Sequence, residues 1–168
     1  IALPDFRLTT PVSWLKASAD MDFSTFADTN PGVMRLKMDA SVGKSDMLLA
    51  LGMMPLQFVL RLPEQPLALH ADINGNMKSL KIRDISAKLP TAFNIKADGK
   101  AGNLTDIDRL TADINLDARA DNISFLQPAL GLDKNMAVRI PDGITLKGNC
   151  KVNGPQYATE FVATQGGG

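Results

Sequence analysis

The sequence predicts a mainly β protein built on one long, largely antiparallel sheet, and three observations carry that expectation. Apolar and polar residues alternate with period two along almost the whole chain. On a strand that alternation means one dry face and one wet face. Turn residues recur between the alternating runs, at Asn74-Gly75-Asn76, Leu89-Pro90-Thr91, Gly102-Asn103 and Asn153-Gly154-Pro155, and links this short imply antiparallel neighbours. The longest apolar run, Met47 to Leu56, is interrupted by Pro55 and is about half of the ~20 residues that a membrane-spanning helix needs.

Four strands are written most plainly. Met34, Leu36, Met38, Ala40 and Val42 oppose Arg35, Lys37, Asp39 and Ser41, and Leu67, Leu69, Ala71 and Ile73 oppose Ala68, His70, Asp72 and Asn74. Leu110 to Asp121 and Ile144 to Asn153 follow the same rule. Further strands are expected at Phe6 to Thr10, Leu15 to Phe23, Leu80 to Leu89, Phe93 to Ala101 and Tyr157 to Ala163. In Leu80 to Leu89 the apolar parity switches between Ile82 and Ile85, which predicts a bulge near Arg83 and Asp84.

Two longer connections predict short helical insertions near residues 45–62 and 123–131, with Asp46 and Asn122 as N-caps and Gly52 and Gly131 as stops. Each is followed by a similar segment, Arg61-Leu62-Pro63-Glu64 and Arg139-Ile140-Pro141-Asp142, ahead of an alternating strand. This suggests a repeat of 78 residues.

A chain of 168 residues is one domain's worth, and residues 1–168 are read as a single unit. It opens on Ile1 and closes on three glycines, so it is expected to be an internal or C-terminal fragment of a longer chain. Lys plus Arg and Asp plus Glu balance at 18 each, so no net field draws it to nucleic acid. One Cys and one His cannot build a structural zinc site or a disulfide framework. His70 on the wet face reads as a solvated strand residue and Cys150 on the dry face as a buried, inert thiol. The acid pairs Asp20/Asp22 and Asp106/Asp108 read as solvated edges rather than calcium ligands. Neither catalytic residue, metal nor cofactor is expected.

Eight or nine strands at about 4.8 Å each make a sheet approaching ~40 Å in width, and the short helices are too small to cover its dry face. The sheet can close as a barrel, fold over as a β-sandwich, or curl into an open apolar groove filled by something else. Slender inward residues (Ala71, Ala97, Ala112, Ala118, Gly148), only 5 % aromatics and the suspected repeat favour the groove, or half-pipe. Such a groove takes acyl chains, since each buried methylene contributes about 0.8 kcal/mol. The candidate lipid-contact positions are Leu36, Met38, Leu69, Ile73, Ile95, Ile114, Leu116, Leu146 and Val152. The Met-rich stretch Met47 to Leu60 is expected to cap the sheet's own core.

The run Leu80-Lys-Ile-Arg-Asp-Ile-Ser-Ala-Lys-Leu-Pro90, followed by Phe93-Asn-Ile-Lys-Ala-Asp-Gly99, resembles the AsmA-like proteins, including TamB-type assembly factors of Gram-negative bacteria. The resemblance covers most of residues 33 to 163. It implies an elongated β-groove in the periplasm, held at the inner membrane by an N-terminal anchor outside this chain. It also implies a part in lipid transport and outer-membrane biogenesis, with phospholipid acyl chains and outer-membrane assembly proteins as partners and no enzymatic activity. An alternative is a β-scaffold that takes partner strands at its edge.

Overall fold

The computed structural model describes residues 2–27, 30–50, 63–123 and 142–166. Nine strands form one antiparallel sheet: β1 (Ala2–Thr9), β2 (Trp14–Met21), β3 (Met34–Val42), β4 (Leu67–Asn76), β5 (Ser79–Leu89), β6 (Phe93–Gly102), β7 (Thr111–Ala120), β8 (Ile144–Asn153) and β9 (Gln156–Gln165). Their order in space is their order in sequence, so the sheet is a meander with β1 and β9 as its edges. It does not close into a barrel. Among the described residues every pair of elements in substantial contact is a hydrogen-bonded strand pair, and no second layer faces the sheet.

The four plainest strands form where alternation places them. β7 begins one residue later than expected, because Leu110 ends a short 3-10 turn at Ile107–Arg109. The expected strand through Phe23 stops at Met21. Asp22 there accepts the Ser24 N–H at 3.1 Å and starts a 3-10 turn at Phe23–Phe26. The bulge falls where the parity switch predicted it. Asp72 pairs with Asp84 and Ile73 with Ile82, leaving Arg83 between them, and the β5–β6 ladder shifts register between Ile82 and Ile85. The extra residue brings Ile82 and Ile85 onto one face, opposite Ile73 and Ala71. Gly99 sits across from the bulge at φ +149°, where an added Cβ would lie 2.1 Å from the Asp113 carbonyl oxygen, so only glycine fits.

Asn74-Gly75-Asn76 is strand rather than turn. The chain reverses at Met77 and Lys78 because Asn76 Oδ1 accepts the N–H groups of Lys78 at 3.0 Å and Ser79 at 2.9 Å. The Leu-Pro turn closes as expected, with the Ala92 N–H on the Leu89 carbonyl at 3.0 Å, but it places Thr91 at φ +64°, a costly conformation for a β-branched residue.

Of the two helical insertions, the first is present as α1 (Lys44–Ala50), while 51–62 and 124–131 lie outside the described residues. So do most of the two segments that suggested the repeat. The strands around them keep its spacing, since β3 and β7 both lead into the long connections at one end of the sheet. Asp46 is not the N-cap of α1. The helix starts earlier, with the N–H groups of Asp46 and Met47 on the Gly43 carbonyl at 3.1 and 3.0 Å, and Asp46 stands in its first turn.

The small packed core sits at this same end. Leu89 and Ala92 are buried, and Leu48 of α1, Leu67 and Phe93 pack against them. α1 therefore caps one end of the sheet, as the Met-rich stretch led us to expect for its described part. Elsewhere on the sheet the described hydrophobics that are fully buried are few: Ala40, Ala71 and Leu80.

Candidate functional site: one apolar face of the sheet

Strand registers assemble the site. Directly paired residues of antiparallel strands share a face, so the partners can be followed from edge to edge. One row runs Phe6, Ala17, Met38, Ala71, Ile85, Ala97, Leu116, Gly148, Phe161. The next runs Leu8, Leu15, Ala40, Leu69, Ala87, Ile95, Ala118, Leu146, Ala163. On the other side lies Leu3, Ala19, Leu36, Ile73, Ile82, Gly99, Ile114, Cys150, ending on Thr159. No charged side chain interrupts any of the three rows.

All nine positions singled out from the sequence lie on this face. Eight of them are half-buried and Ile95 is 38 % exposed, so none is sealed in a core. Large and small residues alternate along the first row and, from Leu15 onward, along the second, whereas Leu36, Ile73 and Ile82 stand side by side in the third. Leu116 is flanked by Ala97 and Gly148, and Ile95 by Ala87 and Ala118, so bulky side chains stand apart with shallow gaps between them. Gly148 is enforced by its neighbour: an added Cβ would lie 2.1 Å from the Glu160 carbonyl oxygen and 2.4 Å from the Phe161 ring. The ring of Phe161 covers that glycine.

At the α1 end the face deepens into a cleft of about 470 Å³. Leu8, Leu15, Met38, Ala40, Val42 and Leu69 form its sheet side, and Leu49 of α1, 80 % exposed, stands on the other. Of these only Met38 and Leu69 were named from sequence. Leu8 and Leu15 belong to the weaker alternations, and the approach of Leu49 depends on where α1 docks. That docking is polar. Ser13 Oγ accepts the Gly43 N–H at 2.8 Å, and the hydroxyls of Ser13 and Thr10 hold the Asp46 carboxyl below its ordinary pKa by hydrogen bonding to the ionised form.

The opposite face is charged and paired with itself. Lys147 Nζ lies 2.8 Å from Asp117, Lys37 is 3.6 Å and Arg83 3.8 Å from Asp72, and Asn149 donates to Asp113 at 2.7 Å and to Asn115 at 3.0 Å. These exposed pairs contribute little to stability, but they keep this face wet. At the bulge it is indented by a cavity of about 570 Å³ where Lys81, Arg83 and Lys100 meet Asp98 and Asp113, a mixture of signs.

His70 lies on this wet face, its Nδ1 2.7 Å from Asp39 and its Nε2 3.9 Å from Asp84. Ser86 is its cross-strand partner on β5, and each of the two ring nitrogens faces a carboxylate. Cys150 lies on the dry face between Ile114 and Thr159 as expected, but it is half-buried rather than buried, because its neighbour on one side belongs to the exposed edge strand. Of the acid pairs, Asp22 and Asp106 cap the two 3-10 turns, and the Ser24 backbone and side chain hold Asp22 below its ordinary pKa. Among the described residues no three His, Cys, Asp or Glu side chains gather as a metal site, and no helix is long and apolar enough to cross a membrane.

Scans against protein-family models, curated proteins and solved structures return no match to this chain.

Proposed function

We propose that this chain is a non-enzymatic lipid-binding module of the Gram-negative envelope, in which the sheet curls into an open groove and its apolar face shelters phospholipid acyl chains. One observation carries the reading: three apolar rows cross the whole sheet without a charge, and no layer of the described chain covers them. Burying ten methylenes there contributes on the order of 8 kcal/mol, enough to hold a tail without a headgroup code. The gaps beside Leu116 and Ile95 suit a flexible chain better than a flat ring. The motif Leu80 to Pro90 with Phe93 to Gly99 adds the AsmA-like resemblance, and with it the periplasm, an inner-membrane anchor outside this chain and a part in outer-membrane biogenesis.

Native mass spectrometry of the detergent-free protein tests the proposal. Co-purified phospholipid, lost in Leu116→Asp, is the expected result; a lipid-free spectrum that stays lipid-free after incubation with phospholipid vesicles contradicts it. A second reading, a scaffold that takes a strand of an outer-membrane protein at its edge, draws on the open β9 edge. It predicts a protein adduct in place of lipid.

A further inference from the structure

The two edges of the sheet are not equivalent. β1 is guarded: Pro4 has no N–H to offer, its register breaks between Leu3 and Phe6, and Asp5 and Arg7 form an ion pair at 3.1 Å on the strand itself. β9 has none of these devices. Its ten residues hold no proline or bulge and one charge, Glu160, and every one is exposed, Tyr157 at 82 % and Val162 at 62 %. A long, regular, nearly uncharged edge is a template for another strand.

The hairpin geometry fixes which groups are free. Asn153 and Gln156 flank the two-residue turn Gly154-Pro155, with Gly154 at φ +56°, and in such hairpins the flanking pair is hydrogen-bonded. By alternation the N–H and C=O of Tyr157, Thr159, Phe161, Ala163 and Gln165 point away from β8. These five residues are symmetric about Phe161. A two-fold axis through Phe161 therefore pairs the entire free edge with itself: Thr159 meets Ala163 of the second copy, and Tyr157 meets its Gln165. On the wet face the same axis sets Glu160 opposite Val162 of the second copy. An axis at Glu160 would instead set two carboxylates opposite each other at the closer cross-strand spacing.

We infer that this chain forms a two-fold dimer by antiparallel β9–β9 pairing centred on Phe161, which joins the two apolar faces into one surface. The axis stands perpendicular to the sheet, so the row Leu116, Gly148, Phe161 continues through Phe161, Gly148 and Leu116 of the second copy without a break. The contact is isologous and uses both β9 edges at once, so the pairing closes as a dimer. The inference rests on strand geometry and charge, not on the lipid reading, and either can fail without the other.

Sedimentation velocity of the full chain in detergent-free buffer tests it. The wild type is expected to be a concentration-dependent dimer. Thr159→Pro removes an outward N–H while leaving the β8 ladder intact, and is expected to give a monomer with unchanged far-UV circular dichroism. Val162→Glu, opposite Glu160 twice, is expected to weaken the dimer about tenfold, and Val162→Lys to tighten it at low salt. Leu116→Asp, on the face rather than the edge, leaves the dimer in place. A wild-type monomer up to the solubility limit overturns the inference, as does a dimer indifferent to both Val162 substitutions. A dimer that survives Thr159→Pro but is lost in Leu116→Asp also overturns it, by placing the contact between faces.

Discussion

The two faces of this sheet share every backbone hydrogen bond and differ only in which alternate residue they present. On one, carboxylates, lysines and amides pair across strands, as Lys147 does with Asp117 and Asn149 with Asp113, and water completes their solvation. On the other, Leu, Ile and Met stand among Ala and Gly and meet no partner layer among the described residues. The first face is finished by solvent. The second meets no such partner among the described residues, and the proposed binding of tails rests on that asymmetry.

The comparison breaks first, and hardest, by moving a charge from one face to the other. Leu116→Asp puts a carboxylate between Ala97 and Gly148 and is expected to abolish acyl-chain uptake and to cost roughly 2 kcal/mol of stability. Thr145→Asp, on the wet face beside its cross-strand partner Arg119, is expected to leave uptake within about twofold and stability unchanged. A fluorescent fatty-acid titration with paired melting curves reads both. Equal losses would mean that the faces are not functionally distinct.

A second pair compares packing with hydrogen bonding in adjacent residues of one strand. Gly148→Ala drives a methyl against the Glu160 carbonyl and the Phe161 ring, and is expected to cost about 1–3 kcal/mol by pushing β9 away. Its wet-face neighbour Asn149→Ala removes two exposed hydrogen bonds and is expected to cost about 1 kcal/mol or less. Urea unfolding of the two variants gives the ratio directly.

Acid sharpens the comparison at the end of the sheet. The Asp46 carboxyl is held below its ordinary pKa by Ser13 and Thr10, so its contribution is fully present above the unfolded value, about 4, and is lost as pH falls through the lower folded one. Below that range α1 is expected to loosen from the β1–β2 turn and expose the cleft beside Leu49. Amide-exchange protection factors of α1 at pH 2 and pH 6, each referred to the intrinsic rate at that pH, measure this, and Asp46→Asn should remove the difference. The smallest effect belongs to a turn outside both faces. Thr91→Gly relieves a left-handed threonine and is expected to raise stability by a few tenths of a kcal/mol to about 1 kcal/mol, with lipid uptake unaltered.

Much of this was legible in the residues because period two encodes faces directly. The alternation from Met34 to Val42 and from Ile144 to Asn153 names both the strand and its dry side, and the parity break at Ile82 and Ile85 marks the bulge. Local chemistry that competes with the pattern was harder to see. Asn74-Gly75-Asn76 reads as a turn, yet the Asn76 side chain moves the reversal to the next two residues. Asp46 reads as a cap, but its partners Thr10 and Ser13 are far away in sequence, and no local pattern reports them. The same holds for Gly148 and Phe161, whose contact exists only once β9 folds back on β8.

The central claim, that the apolar face is where tails lie, is tested most directly by a phospholipid carrying a photoreactive group at mid-chain, irradiated with the protein and located by peptide mass spectrometry. Adducts are expected on dry-face residues such as Met38, Ile73, Leu116 and Leu146, and not on wet-face residues of the same strands. Adducts spread evenly over both faces, or confined to the wet one, would contradict the account.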